Sequence, residues 1–286
     1  MLATLGSWWT WFSTVVIVII GTPIVALIYA VTRPFDAGRY AAGRAFRLVA
    51  VTTLKLNPFW HFGTRGVAPA DPRRPYVVVA NHESYADVFL ISKFPWEMKW
   101  LSKDTMFRIP FMGWMMQMAG DIELTRGNRD SAVQALAQCR DRLEKRVSVM
   151  IFPEGTRSRD GAMLPFKEGA FRLAIKERVP ILPIAVAGTR HAMAKGSFRF
   201  RRARALAVVL EPVSTEGLTL KDAARLREDV RQRIDAARRE LARELGLDAP
   251  PPLDSGELPR TPDSRLREGE PGDGESREGT LTADAR

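Results

Sequence analysis

The stretch Tyr76–Val77–Val78–Val79–Ala80–Asn81–His82–Glu83–Ser84–Tyr85–Ala86–Asp87 decides the fold. Residues 76–80 form a short run rich in β-branched valine, and they read as a strand buried on both faces. The polar cluster behind the run marks the strand's end, and residues 82–93 are expected to turn into a helix. Val147 to Phe152, Ile181 to Ala187 and Ala205 to Leu210 repeat the strand signal. Helical periodicity separates them. Asn128 to Arg146 carries Val133, Leu136, Ala137 and Leu143 at 3–4 spacing, Pro165 to Arg178 is a second helix, and Leu220 to Leu245 is a third. Thr219 suits the start of the third helix and Gly246 its end. Alternating strands and helices predict an α/β domain with a largely parallel central sheet flanked by helices. In such sheets, sites form beyond the carboxyl ends of the strands. That is where this sequence places its polar clusters.

The first cluster holds one of only three histidines in the chain. His82 and Asp87 are five residues apart, about 500° along a helix, so they would not share a helical face. They meet if His82 stays in the turn and Asp87 enters the first helical turns. An imidazole held by a carboxylate can deprotonate a hydroxyl. Taken alone, the spacing also fits a capped helix start. The second cluster, Phe152–Pro153–Glu154–Gly155–Thr156–Arg157–Ser158, follows the second strand. Pro153 and Gly155 suit a tight turn with backbone N–H groups free for an anion, and Arg157 adds a forked cationic donor. A polar turn with a surface ion pair fits these residues equally well. Lys103 and Arg126 are further candidate phosphate contacts. The Met-rich stretch Phe107–Met118 either packs in the core or walls an acyl-chain groove.

The two ends differ in character. Met1 to Thr32 contains no charge, and Trp8 to Val31 is long and apolar enough to span a bilayer as a helix. Trp8, Trp9 and Trp11 stand where an interfacial aromatic belt would lie. Gly21–Thr22–Pro23 interrupts the run. A kinked spanning helix, a pair of short helices dipping into one leaflet, and a core helix all fit. Arg33, Arg39, Arg44, Arg47 and Lys55 follow, interleaved with apolar residues. That segment either lies on an anionic membrane surface or packs on the protein's own core. The other end, residues 248–286, carries ten acidic and five basic residues, six prolines and no aromatic residue. It is expected to be a disordered acidic tail.

The 286 residues carry a formal charge of +10, and the tail's −5 leaves +15 on residues 1–247. Such an excess points to an anionic partner. The uncharged apolar start argues for a lipid surface and against nucleic acid. One cysteine, Cys139, excludes an internal disulfide framework and a Cys-rich metal site. The expected organisation is an N-terminal membrane anchor over 1–57, one domain over 58–247, and the tail over 248–286.

Four blocks occur in order: Asn81-His82-x4-Asp87, Gly120-x5-Arg126, Phe152–Ser158 and Val179-Pro-Ile-Leu-Pro-Ile184. The ordered set resembles the glycerolipid acyltransferases, most closely the 1-acyl-sn-glycerol-3-phosphate acyltransferase family, over roughly residues 58–215. The resemblance implies a single acyltransferase domain that moves an acyl chain from acyl-CoA or acyl-carrier protein to the free hydroxyl of lysophosphatidic acid. It implies His82 as general base assisted by Asp87. Arg126, Glu154, Gly155, Arg157 and, less firmly, Lys103 would bind the acceptor's glycerol phosphate. The Val179 block would shape the sheet and the acyl-donor site. It further implies no metal or cofactor beyond the acyl donor; the positive-inside rule places the basic flank on the cytoplasmic side if the apolar run spans, and the expected place is the cytoplasmic face of the inner membrane among its lipids. Glu123 departs from the family's pattern, which leaves the acceptor open: glycerol 3-phosphate or another lysolipid fits the same fold. A non-catalytic lipid-binding protein is the alternative of another class, against which the intact His82 and Asp87 argue.

Overall fold

The computed structural model describes residues 2–158 and 160–253. Most of the expected disordered tail therefore lies outside the described residues. Seven strands form one sheet: β1 (Trp60–Arg65), β2 (Val77–Ala80), β3 (Met98–Lys103), β4 (Ile122–Leu124), β5 (Ser148–Ile151), β6 (Ile181–Ala187) and β7 (Ala203–Val209). Their spatial order is β1-β7-β6-β2-β5-β3-β4. Every neighbouring pair is parallel except β6 with β7. The expected largely parallel α/β sheet is present.

The central strands show why their sequences read as unbroken apolar runs. Val77 and Val79 pack into one core, while Val78 and Ala80 pack into the other, on the opposite face. Ile181, Ala185 and Ala187 likewise alternate with Leu182, Ile184 and Val186. Side chains alternate across a strand, so covering both faces requires apolar residues at successive positions. The first face is covered by α6 (Arg129–Glu144), α7 (Gly169–Glu177) and α9 (Ala223–Glu244). Asn128 caps α6 by accepting the Ser131 N–H at 2.9 Å. Cys139 is buried on that helix, and burial pushes its thiol up to about 12, in keeping with packing rather than chemistry. Thr219 caps as expected, but what it caps is a 3₁₀ turn over Leu220–Asp222 leading into α9.

The two N-terminal helices depart from several expectations. α1 (Leu2–Thr32) is one continuous helix through Pro23, not a helix pair. Gly21 lets it cross α2 (Tyr40–Lys55) closely, since a Cβ there would lie 2.6 Å from Val49 Cγ2. Val25 of α1, Ala45 of α2 and Met115 of α5 (Met112–Ala119) form a small core of their own. At its other end α1 is tied down by polar contacts. Trp11 Nε1 donates to the Phe198 carbonyl at 2.9 Å, and the Phe200 N–H donates to Ser7 Oγ at 3.1 Å. Asn57 Nδ2 donates to Thr10 Oγ1 at 3.0 Å.

The basic side of α2 faces the protein. Arg44 donates to the Phe94 and Trp96 carbonyls. Arg47 is buried and pairs with Asp121. Asp121 also accepts the Trp100 N–H at 3.0 Å, and buried Lys99 pairs with buried Glu97 at 3.0 Å. Of the two readings the sequence left open, this arrangement is the one in which α2 packs on the protein's own body. The Met-rich stretch also packs against α1 and α2, although Trp114 stays exposed.

The far end of the domain is longer than expected. Residues 248–253, assigned by composition to the tail, run back along α9. Arg238 donates to the Pro251 carbonyl, Arg239 donates to those of Pro250 and Pro251, and Leu253 packs on the core. Three prolines fix φ without needing backbone donors of their own, so carbonyls aimed at two arginines suffice to hold the segment.

Candidate active site

The site lies where β2 ends. Asn81 ties that end to the adjacent strand: its Nδ2 donates to the Val186 carbonyl at 2.9 Å, and its Oδ1 accepts the Val186 N–H at 2.8 Å. The chain then turns, and a short helix α3 (Ala86–Ile91) begins. It is shorter than the 82–93 span expected because the turn takes residues 82–85. This turn lets His82 and Asp87 meet. His82 Nδ1 lies 2.8 Å from Asp87 Oδ2.

Asp87 is fully buried and held from several sides. Oδ2 also accepts the Glu83 and Ser84 N–H groups at 2.9 and 3.0 Å, and Oδ1 accepts the Thr189 hydroxyl. A carboxylate with so many donors has one orientation. It accepts a hydrogen bond from the Nδ1–H tautomer of His82, an arrangement that leaves the Nε2 lone pair free. The imidazole stacks on Phe152 with centroids 3.9 Å apart and 15° between planes. Both ring orientation and tautomer are thereby set.

Three cations stand at or just past strand ends on the β5 side of His82. Arg157 follows β5 and lies over the Tyr85 ring at 3.7 Å. Its Nη1 is buried without a hydrogen-bond partner. A buried donor left unpaired is costly, so it marks a place for an acceptor. Arg126 follows β4, and its guanidinium is held below the usual range, first by partial burial and then by the neighbouring charge of Arg157, against Tyr85 and Asp104. Lys103 ends β3, opposite Leu124 of β4, and its side chain is exposed. Two arginines crowded together and a lysine on the next strand end suit a phosphate.

Glu154 and Gly155 are placed differently from the substrate contacts expected of them. Glu154 is buried, and both its oxygens are used internally: Oε1 accepts the His82 N–H at 2.7 Å and Oε2 the Leu164 N–H at 2.9 Å. Burial raises its carboxyl to about 8, against the opposing pull of those two N–H groups. Gly155 adopts φ +69°, and its N–H donates to the Phe152 carbonyl, closing the turn rather than facing an anion. The Ser158 N–H donates to the His82 carbonyl at 3.3 Å, a second tie between the two turns.

Sequence reasoning missed Thr189, Phe152's stacking and Glu83. Thr189 had a signal, as a polar residue just past the apolar run 181–187, yet nothing local joins it to Asp87. Glu83 lies behind the dyad, where burial and then Asp87 raise its carboxyl to about 7.

Residues 63–187, which contain the dyad, both turns and β6, match the family model described as Acyltransferase. That stretch is similar to an acyltransferase domain. Over 185 residues it is 36% identical to a chloroplastic 1-acyl-sn-glycerol-3-phosphate acyltransferase of Brassica napus, covering 64% of this chain and 51% of that protein. Over 166 residues it is 34% identical to the 1-acyl-sn-glycerol-3-phosphate acyltransferase of Saccharomyces cerevisiae, covering 57% and 55%. The chain thus matches about half the length of these relatives. The crystal structure of the 1-acyl-sn-glycerophosphate (LPA) acyltransferase, PlsC, from Thermotoga maritima superposes with a TM-score of 0.71 at 27% identity, covering 83% of this chain and 95% of that one. Within this chain the four blocks singled out in the sequence fall at the ends of β2, β4 and β5 and along β6.

Proposed function

We propose that this protein transfers an acyl chain from an acyl thioester, carried by coenzyme A or acyl-carrier protein, to the free hydroxyl of lysophosphatidic acid, giving phosphatidic acid. One observation carries this reading. A histidine with Nδ1 committed to a buried carboxylate stands beside an unpaired arginine donor at the same sheet edge. His82 Nε2 takes the acceptor hydroxyl's proton as that oxygen attacks the thioester carbonyl. The tetrahedral intermediate collapses, the C–S bond breaks, and the thiolate takes the proton back from His82. A thiolate leaves readily, so the route calls for neither a metal nor a covalent enzyme intermediate. Arg157, Arg126 and Lys103 hold the acceptor's phosphate, which positions its hydroxyl near Nε2.

Localisation belongs to the same proposal. α1 is long and apolar enough to cross a membrane. It is also braced against the domain at both ends, through Trp11 and Ser7 near its start and Val25 further on. A helix held sideways along its own domain sits within one leaflet with its exposed face, including Trp8, Phe12, Ile20 and Leu27, in the lipid. The site then rests at the plane of a lysolipid substrate, on the cytoplasmic face of the inner membrane.

The test is a purified-protein assay with a panel of lysolipid acceptors and both donor types. His82→Ala should lower turnover by about 10²–10⁴-fold while melting temperature and vesicle binding hold. Near-wild-type turnover in that variant would remove His82 as the base. Preference for another lysolipid or for glycerol 3-phosphate would change the acceptor but not the chemistry.

A further inference from the structure

The proposed reaction has two anionic substrates, and the cationic cluster on the β5 side of His82 accounts for one of them. β2 has a second neighbour, β6, and a separate basic cluster follows that strand. Gly188 and the short helix α8 (Thr189–Ala192) lead into an excursion that returns to start β7. The Arg201 N–H donates to the Ala192 carbonyl at 2.9 Å and closes the excursion at its neck. Across that neck, Arg190 and His191 on one limb and Arg201 and Arg202 on the other line a cavity of about 330 Å³, with Ala194 at its wall. No carboxylate is among the described residues that line it.

We propose that this cavity receives the phosphates of a coenzyme A-type acyl donor. The inference rests on the acyl-transfer reading above and assigns the donor's half of the site. Arg190 is braced through its Nη1, which donates to the Asp160 carbonyl, a neutral partner. Among the described residues Arg201 and Arg202 make no ion pair, and Arg190, which feels the carboxyls of Asp160 and Glu83 on its other side, adds a third permanent charge to the same cavity. Forked guanidinium groups suit phosphate oxygens. A concave site of this volume fits a phosphorylated small molecule better than the flat face of a carrier protein.

The cavity is also coupled to the chemistry. Thr189, next to Arg190, donates to Asp87, and Ser84 Oγ donates to the Met193 carbonyl at 2.7 Å. Both anion sites lie at the carboxyl edge of the sheet, on either side of the strand that delivers His82. A donor anchored on the β6 side and an acceptor anchored on the β5 side bring thioester and hydroxyl together at Nε2.

The experiment uses the full chain in uncharged detergent and titrates adenosine 3′,5′-bisphosphate by calorimetry, a probe with the donor's phosphates but no acyl chain or thiol. Wild type should bind it, Arg201→Ala with Arg202→Ala should weaken binding at least tenfold, and Arg201→Lys with Arg202→Lys should retain most of it. In turnover, the alanine pair should raise KM for acyl-CoA at least tenfold and leave KM for the lysolipid within twofold. Failure of wild type to bind the bisphosphate, or equal affinity in the alanine pair, overturns the proposal. So does an alanine pair that loses only acyl-carrier-protein turnover or only binding to phosphatidylglycerol vesicles, because the cluster would then serve a protein or a lipid surface. Because the titration needs no turnover, a protein that binds the nucleotide but fails to acylate any lysolipid refutes the acyl-transfer reading alone.

Discussion

Glu154 accepts the backbone N–H of His82 through Oε1 at 2.7 Å, so the carboxyl group of the second polar turn holds the histidine of the first. Its other oxygen accepts the Leu164 N–H, so both oxygens are tied to backbone groups of the protein itself. Glu154 is therefore a positioning residue for His82. Glu154→Gln keeps one carbonyl acceptor but turns an NH₂ toward a backbone donor. It should lower kcat by roughly tenfold, consistent with loss of about 1–3 kcal/mol of hydrogen bonding at a buried group. KM for the phosphorylated acceptor should stay within twofold. A variant with unchanged kcat and a raised acceptor KM would show that Glu154 touches substrate after all.

Arg157 carries the opposite signature. Its unpaired Nη1 and its stacking on Tyr85 preset a donor for the acceptor's phosphate. A charge-assisted hydrogen bond contributes about 1.5–3 kcal/mol, so Arg157→Ala should raise the acceptor's KM by about 10–100-fold. KM for the thioester should move by less than threefold. Steady-state kinetics with each substrate varied separately distinguishes the two, and equal effects on both would exclude a phosphate role.

Much of this arrangement is legible in the sequence, and the rest is not for physical reasons. Strands buried on both faces announce themselves as apolar runs, which is why Val77–Ala80, Ser148–Ile151 and Ile181–Ala187 were readable. The strands β1, β3 and β4 were not, because edge and near-edge strands such as Trp60–Arg65 mix polar with apolar residues. The meeting of His82 with Asp87 was legible only as a condition, that His82 stay in the turn while Asp87 enters the helix, and the turn over 82–85 meets that condition. The ties from Glu154 to His82 and from Thr189 to Asp87 span 72 and 102 residues, and no local pattern encodes such a distance. The basic residues of α2 left two readings open because composition records charge but not direction: Arg47 is turned into the protein, onto Asp121.

The packed body of the domain continues past Leu247 at least to Leu253. A chain stopped after Leu253 keeps the Pro250 and Pro251 carbonyls that Arg238 and Arg239 use. A chain stopped after Leu247 loses them and leaves Arg238, a buried guanidinium, short of an acceptor. An unsatisfied buried charged group costs at least about 1–3 kcal/mol, so the shorter chain should melt roughly 2–10 °C lower. Thermal melts of the two truncations side by side measure this, and identical melting temperatures would return residues 248–253 to the tail.

The two buried carboxyls also predict how stability changes with pH. In the folded protein Glu83 titrates near about 7 and Glu154 near about 8, both raised chiefly by burial from an ordinary 4.5. Between those values the folded state holds protons that the unfolded chain has released. Stability therefore falls as pH rises wherever the native state binds more protons. The contribution is fully present below about pH 4.5 and is lost progressively as pH climbs through 7 to 8, on the order of a few kcal/mol in all. Chemical denaturation from pH 5 to pH 8.5 should show this decline, and Glu83→Gln or Glu154→Gln should each flatten part of it. A wild-type profile that is level or rising across that window would mean that both carboxyls are ionised in the native protein. The His82 turn would then be held by charged rather than neutral acceptors.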